Sequence, residues 1–211
     1  YLKKINSIWS KRFQDELESQ VKIRLSHTFY IDAINFVESK IEENNIELKS
    51  SSIEYWKKNI SKIEKTYLPF DFPEYQFNDS GNIITIDLDN NLFHRIINFS
   101  SKNNFTLYNV LLSAYSILIY KIARNHNITI GGFFSGRYLS DMQNMLGMFV
   151  STLPITININ PEESIEEFLN SIQLQISNTL EHQNFSISEL SNLKDSPSEN
   201  GRNKFFNNAF N

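Results

Sequence analysis

The chain has 211 residues, 40% hydrophobic and 21% charged, which suits one medium domain or two small lobes with a real core and does not suit a disordered chain. Its formal net charge is −4 and its Lys and Arg residues form no stripe, so nucleic-acid binding has no electrostatic footprint. Cysteine is absent, which excludes disulfides, thiolate nucleophiles and Cys-based metal sites and makes a reducing, cytoplasmic setting the simpler expectation.

Residues 5–22 mix apolar and charged side chains and read as helical. From Tyr30 to about Asn44 the spacing of Tyr30, Ile34, Val37 and Ile41 predicts an amphipathic helix, and Ile53, Trp56, Ile60 and Ile63 predict another over 51–63. The segment 68–81 carries Pro69, Pro73 and Gly81 and is the expected linker between two lobes. Beyond it, 82–89 alternates Ile84, Ile86 and Leu88 as a half-buried strand does. A helix is expected over 90–102, and a longer one from a Thr106 cap to about Arg124, apolar on nearly all sides. That window, broken by Asn109, Ser113 and Ser116, falls short of the roughly 20 apolar residues a membrane span needs.

Residues 127–136 predict a strand ending in a glycine-containing bend, and 151–159 a second alternating strand in which Pro154 marks an edge or a departure from the sheet. Ser164 and Glu167 predict a capping box for a helix that turns Ile165, Phe168, Leu169, Ile172 and Ile176 inward. Residues 202–211 read as the start of another strand. Strands alternating with helices predict an α/β lobe, a mixed sheet packed against helices in a two-layer sandwich. The chain opens on Tyr1 with no signal peptide, so the expectation is a piece of something longer.

Chemistry is sparse on this scaffold. His27, His94, His126 and His182 do not stand in metal-ligand spacing with one another or with acidic partners, so no metal site is expected. His94 and His126 sit among polar residues and read as solvated. Gly131-Gly132 could bring backbone amides toward an anion, but with the next glycine at Gly136 the spacing fits no phosphate-binding pattern. Arg137, after a strand end, reads as a surface charge or as one half of an ion pair with a carboxylate of another lobe. His182 closes a helix, where the dipole favours it.

The order of short motifs carries more than any one of them. "YIDAINF" (30–36) resembles Y-x-D-Y-A-x-W, keeping Tyr30 and Asp32, and "EYWKKNI" (54–60) resembles Y-W-x-x-x-L. "IGGFFSGR" (130–137) is similar to I-G-x-P-x-x-x-R, with Phe133 where Pro is usual. "LGMFVSTLP" (146–154) resembles G-M-F-V-N-T-L-P, with Ser151 for Asn. "HQNFSISEL" (182–190) resembles H-Q-D-Y-P-F-E, with Ser186 for Pro, and "GRNKFF" (201–206) resembles R-N-P-L-F. In this order they are similar to nonribosomal peptide synthetase condensation domains, which have the chloramphenicol acetyltransferase-like fold.

The resemblance implies two α/β lobes around a channel, with residues 1–67 ending the amino-terminal lobe, 68–81 as linker and 82–211 forming an incomplete carboxyl-terminal lobe. It implies amide formation between substrates carried on the phosphopantetheine arms of donor and acceptor carrier proteins, beside neighbouring synthetase domains, with no cofactor bound directly and neither nucleic acid nor membrane as partner. The family's H-H-x-x-x-D-G motif is absent, since no two His are adjacent and no Asp-Gly pair occurs. It would lie before Tyr1, so no residue here is expected to be catalytic and the chain is expected to be inactive without the amino-terminal lobe. Arg137, Gly131, Gly147, Met148, Phe149, Ser151 and Thr152 are the implied channel or lobe-interface residues, and Tyr30, Asp32 and His182 structural ones. A degenerate domain that recruits a partner without catalysis, and a cyclising or epimerising variant, are the alternatives. Where epimerising relatives show G-W-F-T, this chain has Gly147-Met148-Phe149-Val150, which fits the condensing form better.

Overall fold

The computed structural model describes residues 49–69, 81–144, 148–194 and 203–211. The expected helices over 5–22 and 30–44, with Tyr30 and Asp32, and the core of the 68–81 segment lie outside those residues. The chain divides into two compact units, residues 1–48 with 139–148 and residues 49–138 with 149–211. In the first, the described part includes a short 3-10 turn, Ser140–Asn144.

The second unit is built on a mixed sheet. Strand β1 (Asn127–Phe134) pairs antiparallel with β2 (Ser151–Asn158) on one side and parallel with the short β3 (Ala209–Phe210) on the other. Ahead of β1 come helix α1 (residues 49–59, continued by a 3-10 turn Ile60–Lys62), α2 (Asn90–Lys102) and α3 (Leu107–Ala123). Helices α4 (Ile165–Glu181) and α5 (Ile187–Leu193) lie between β2 and β3. Ile128, Ile130, Leu153 and Ile155, each at most 1% exposed, form the centre of the core. Removing each such side chain from water contributes about 1.5–3 kcal/mol.

The capping signals in the sequence are realised. Thr106 Oγ1 accepts from Asn109 N at 3.1 Å, opening α3. Ser164 and Glu167 close a reciprocal capping box on α4, and Ser186 and Glu189 close a second on α5. Phe168, Leu169, Ile172 and Ile176 are buried as their spacing predicts. Ile165, on the same stripe, is 61% exposed, because at the first helical position no described residue covers it.

The expectation that α3, apolar on nearly all sides, lies at the centre of the core needs correcting. Its buried residues are Asn109, Leu112, Ser113, Ser116 and Ile119, whereas Leu118 and Ile122 stay exposed. The buried serines are tolerated because Ser113 Oγ and Ser116 Oγ each donate to the carbonyl four residues earlier at 2.7 Å. His126 is exposed, as its polar neighbours predict, and its Nδ1 donates to the Ile159 carbonyl at 2.8 Å, linking the start of β1 to the end of β2.

The segment 82–89 also departs from its expectation. Its alternation predicts a half-buried strand, yet residues 81–89 have no ladder among the described residues, and Ile84 and Ile86 are 82% and 84% exposed. Alternation records which side chains share a face, and a strand forms only where an edge offers backbone partners.

The ladder phase explains Pro154. Ile159 N donates to His126 O, one pair before Asn127↔Asn158, so the pairs Ile128↔Ile157, Ile130↔Ile155 and Gly132↔Leu153 face their hydrogen bonds inward. Pro154, opposite Gly131, therefore turns its missing N–H to the outer edge, where no bond is lost. On that same edge the Thr156 carbonyl is taken by Gln175 Nε2 at 3.0 Å.

The other side of β1 is tied to distant chain. Thr129 N donates to Thr66 Oγ1 at 2.8 Å, with both residues 1% exposed, and Gly131 N donates to Asn208 O at 2.9 Å. Thr66→Val should cost about 1–3 kcal/mol by orphaning a buried N–H. Thr66→Ser should keep most of that stability, and thermal melts of both variants check the pair.

Candidate functional site

Three of the motif segments meet in the second unit just past the end of β1. After Phe134 the chain bends at Gly136, whose φ of 66° lies in the left-handed region. A Cβ on Gly136 would collide with the carbonyl oxygen of Phe149, so glycine is required there for both conformation and space. The Gly136 N–H is accepted by Gln183 Oε1 at 3.1 Å. The next residue, Arg137, holds its guanidinium 4.4 Å from the centre of the Phe149 ring, a cation–π geometry. The I-G-x-P-x-x-x-R, G-M-F-V and H-Q segments thus converge on one bend.

The H-Q segment is itself anchored. His182, the C-cap of α4, stacks on Tyr55 of α1 with ring centroids 4.2 Å apart. Its Nδ1 lies 3.2 Å from Ser52 Oγ, which donates to Asn184 Oδ1 at 2.6 Å, and its carbonyl accepts from Trp56 Nε1 at 3.2 Å. The dipole expectation is therefore replaced by a packed one. Burial holds the His182 pKa below its ordinary 6.5, opposed by the neighbouring Glu181 charge. Ser52 is 1% exposed, which rules out reading Ser52–His182 as a nucleophile and its base. Burial also raises the Tyr55 pKa, with a hydrogen bond to Thr179 opposing it.

The remaining expected site residues do not join this cluster. Gly131 lies within β1, which runs on to Phe134, so the glycine pair is mid-strand instead of following a strand. A Cβ on Gly131 would meet the Phe206 ring at 2.5 Å, so its place is under that ring, in the core. Phe206 is held there by the motif's own Asn203, whose Oδ1 accepts from Phe205 N and Phe206 N at 2.8 and 3.4 Å. Ser151 and Thr152 open β2, both half-buried, paired with Phe134 and Phe133. Met148 belongs to the first unit and is 91% exposed, and Gly147 lies outside the described residues. Sequence reasoning missed Gly136 and Gln183 as site residues, although the glycine before a motif Arg and the Gln after a motif His were visible signals.

A separate groove of about 550 Å³ runs between α1 and α4 along the outer edge of β2, lined by Lys58, Lys62, Asn158 and Asn178 among others. None of Gly136, Arg137, Phe149 or Gln183 lines it. Among the described residues no single helix is long and apolar enough to cross a membrane.

The mixed sheet with helices packed against it, together with the converging motif segments, defines a lobe of the chloramphenicol acetyltransferase-like fold. A family model described as Condensation domain matches residues 15–211, and the chain belongs to that family. It is 29% identical over 158 residues to tyrocidine synthase 2 of Brevibacillus parabrevis, a match covering 74% of this chain and 4% of the synthase. It is 28% identical over 144 residues to gramicidin S synthase 2 of Brevibacillus brevis, covering 68% and 3%.

Among solved structures it resembles a holo four-domain nonribosomal peptide synthetase bound to AMP and glycine, with TM-score 0.73, 22% identity, and 83% and 14% of the two chains covered. The X-domain from teicoplanin biosynthesis matches at TM-score 0.69, 16% identity, and 86% and 40% covered. The chain thus spans a small fraction of the curated relatives it matches.

Two measurements check this geometry. Gly136→Ala should destabilise the protein by more than about 2 kcal/mol, through strain at a positive φ and collision with a backbone oxygen, and a denaturant titration reads the loss. The lowered His182 pKa means the unfolded chain binds a proton that the folded chain resists. Stability should therefore fall as pH drops through the ordinary histidine value toward the lower folded one. Melting curves between about pH 7.5 and about pH 5.5 should show a shallower decline for His182→Gln, and equal slopes would contradict this account.

Proposed function

We propose that this chain is part of a condensation domain that forms an amide bond between acyl or aminoacyl thioesters delivered on the phosphopantetheine arms of carrier proteins. The acceptor's amine nitrogen attacks the donor's thioester carbonyl. A C–N bond forms, the C–S bond breaks, and the carrier thiol leaves with the proton the amine gives up. No adjacent His pair occurs in the 211 residues, so the proton-accepting role falls to the family's His motif elsewhere in the full-length protein. In this reading the chain corresponds to the carboxyl-terminal portion of the domain and supplies one wall of the channel. Arg137, Phe149, Ser151 and Thr152 belong to that wall.

One observation carries the wall assignment. Gly136, Arg137, Phe149 and Gln183, drawn from three family motifs, meet at a bend where glycine is obligatory. A packing role alone would not require the cation of Arg137 to take one orientation. Here it is held over an aromatic ring, a fixed positive group of the kind that orients a polar substrate or a facing carboxylate.

The test uses the full-length protein with loaded donor and acceptor carriers, read by intact mass. Wild type should yield the condensed product, and Arg137→Ala should lower its rate about tenfold at unchanged melting temperature. Unchanged rate and melting temperature together would remove Arg137 from the wall. Carrier binding without product would favour recruitment without catalysis.

A further inference from the structure

The Gln183 side chain has a task that its motif membership does not explain. We propose that Gln183 is a positioning residue. Its Oε1 fixes the 135–137 bend and thereby holds Arg137 over Phe149, so that the wall keeps one shape during acyl transfer. The role rests on the amide-forming reading above.

Gly136 is buried, has a left-handed φ and lies beyond the β1–β2 ladder, whose last pair is Phe134↔Ser151. A buried N–H demands an acceptor, and Gln183 Oε1 supplies it at 3.1 Å. That acceptor is itself immobilised. Gln183 N bonds back to Leu180 O at 3.3 Å, His182 before it is clamped between Tyr55 and Ser52, and Phe185 after it is 3% exposed in the core.

The bend is equally constrained on its other side. Without a Cβ, Gly136 closes directly on the Phe149 carbonyl, and the Arg137 N–H is taken by Ser135 Oγ at 3.3 Å. One side-chain oxygen from the end of α4 thus sets how the strand-end bend seats against the segment entering β2. Losing it would let the bend shift by a fraction of an ångström, and such shifts in positioning groups cost rate before they cost stability.

The test compares Gln183→Glu, which keeps an oxygen acceptor, with Gln183→Leu, which removes it, in the full-length protein. Assays run well below both melting temperatures. Gln183→Leu should lower kcat roughly tenfold, and Gln183→Glu should restore it to within about threefold of wild type. In an Arg137→Ala background the Gln183→Leu change should cost less than about twofold more, because both act through the same wall. Additive losses, or a Gln183→Leu enzyme with wild-type kcat, would overturn the proposal.

A readout independent of turnover separates the two ideas. In arginine-labelled protein the Arg137 side-chain N–H resonance should carry a ring-current shift from Phe149, 4.4 Å away. That shift should vanish in Gln183→Leu and persist in Gln183→Glu. If wild type makes no amide, the function reading fails, while this resonance still decides whether Gln183 positions Arg137. An unmoved resonance in Gln183→Leu would sink the positioning role whatever the enzyme does.

Discussion

The backbone N–H groups of Thr129, Gly131 and Gly136 lie on or just after one strand, and each is accepted by a different part of the chain. Thr66 Oγ1, Asn208 O and Gln183 Oε1 take them at 2.8, 2.9 and 3.1 Å. The need to satisfy buried donors makes β1 the element on which the described second unit depends. Its other edge is occupied by β2 along its whole length. The tail after α1, the segment leading to β3 and the end of α4 are thereby held in fixed relation to one strand. An unsatisfied buried donor costs about 1–3 kcal/mol, so each of these ties is selective as well as stabilising.

The same requirement builds the candidate site. Where β1 ends, the ladder can no longer serve the next donors, and the bend at Gly136 hands one of them to a side chain just after α4. Glycine permits the turn and also removes the atom that would strike Phe149, so the bend and the segment entering β2 close on each other. Arg137 follows directly and settles on the Phe149 ring. The site is therefore a consequence of how a strand terminates, and its Gln183 acceptor directly follows His182, which stacks on Tyr55 beside Ser52.

The edges of the sheet show a contrasting logic. On β2 the outward-facing Pro154 and the Gln175 cap on the Thr156 carbonyl leave few groups for another strand to pair with. On the opposite side, β3 is two residues long. The alternating isoleucines of 82–89 have no ladder among the described residues. Together with the exposed Leu92, Phe93 and Phe99 of α2, they leave apolar surface that the described residues do not cover.

Local chemistry in the sequence determined the helices and the phase of the strands. Thr106 and the Ser164–Glu167 pair open helices wherever they stand, because their hydroxyls satisfy donors within three residues. Alternation in 151–158 determined which side chains of β2 share a face, and Pro154 determined that the strand sits at an edge. The ordered motifs were enough to indicate the family. Tertiary structure alone decided the partners of distant groups: Thr66 with Thr129, His182 with Tyr55 and Ser52, and Gln183 with Gly136. It also decided that 82–89 has no ladder among the described residues, that Gly131 lies under Phe206 and that His126 is bonded. Caps and periodicity are short-range and can be read from neighbours in sequence. The acceptor for a buried N–H 47 residues away depends on where every intervening element packs.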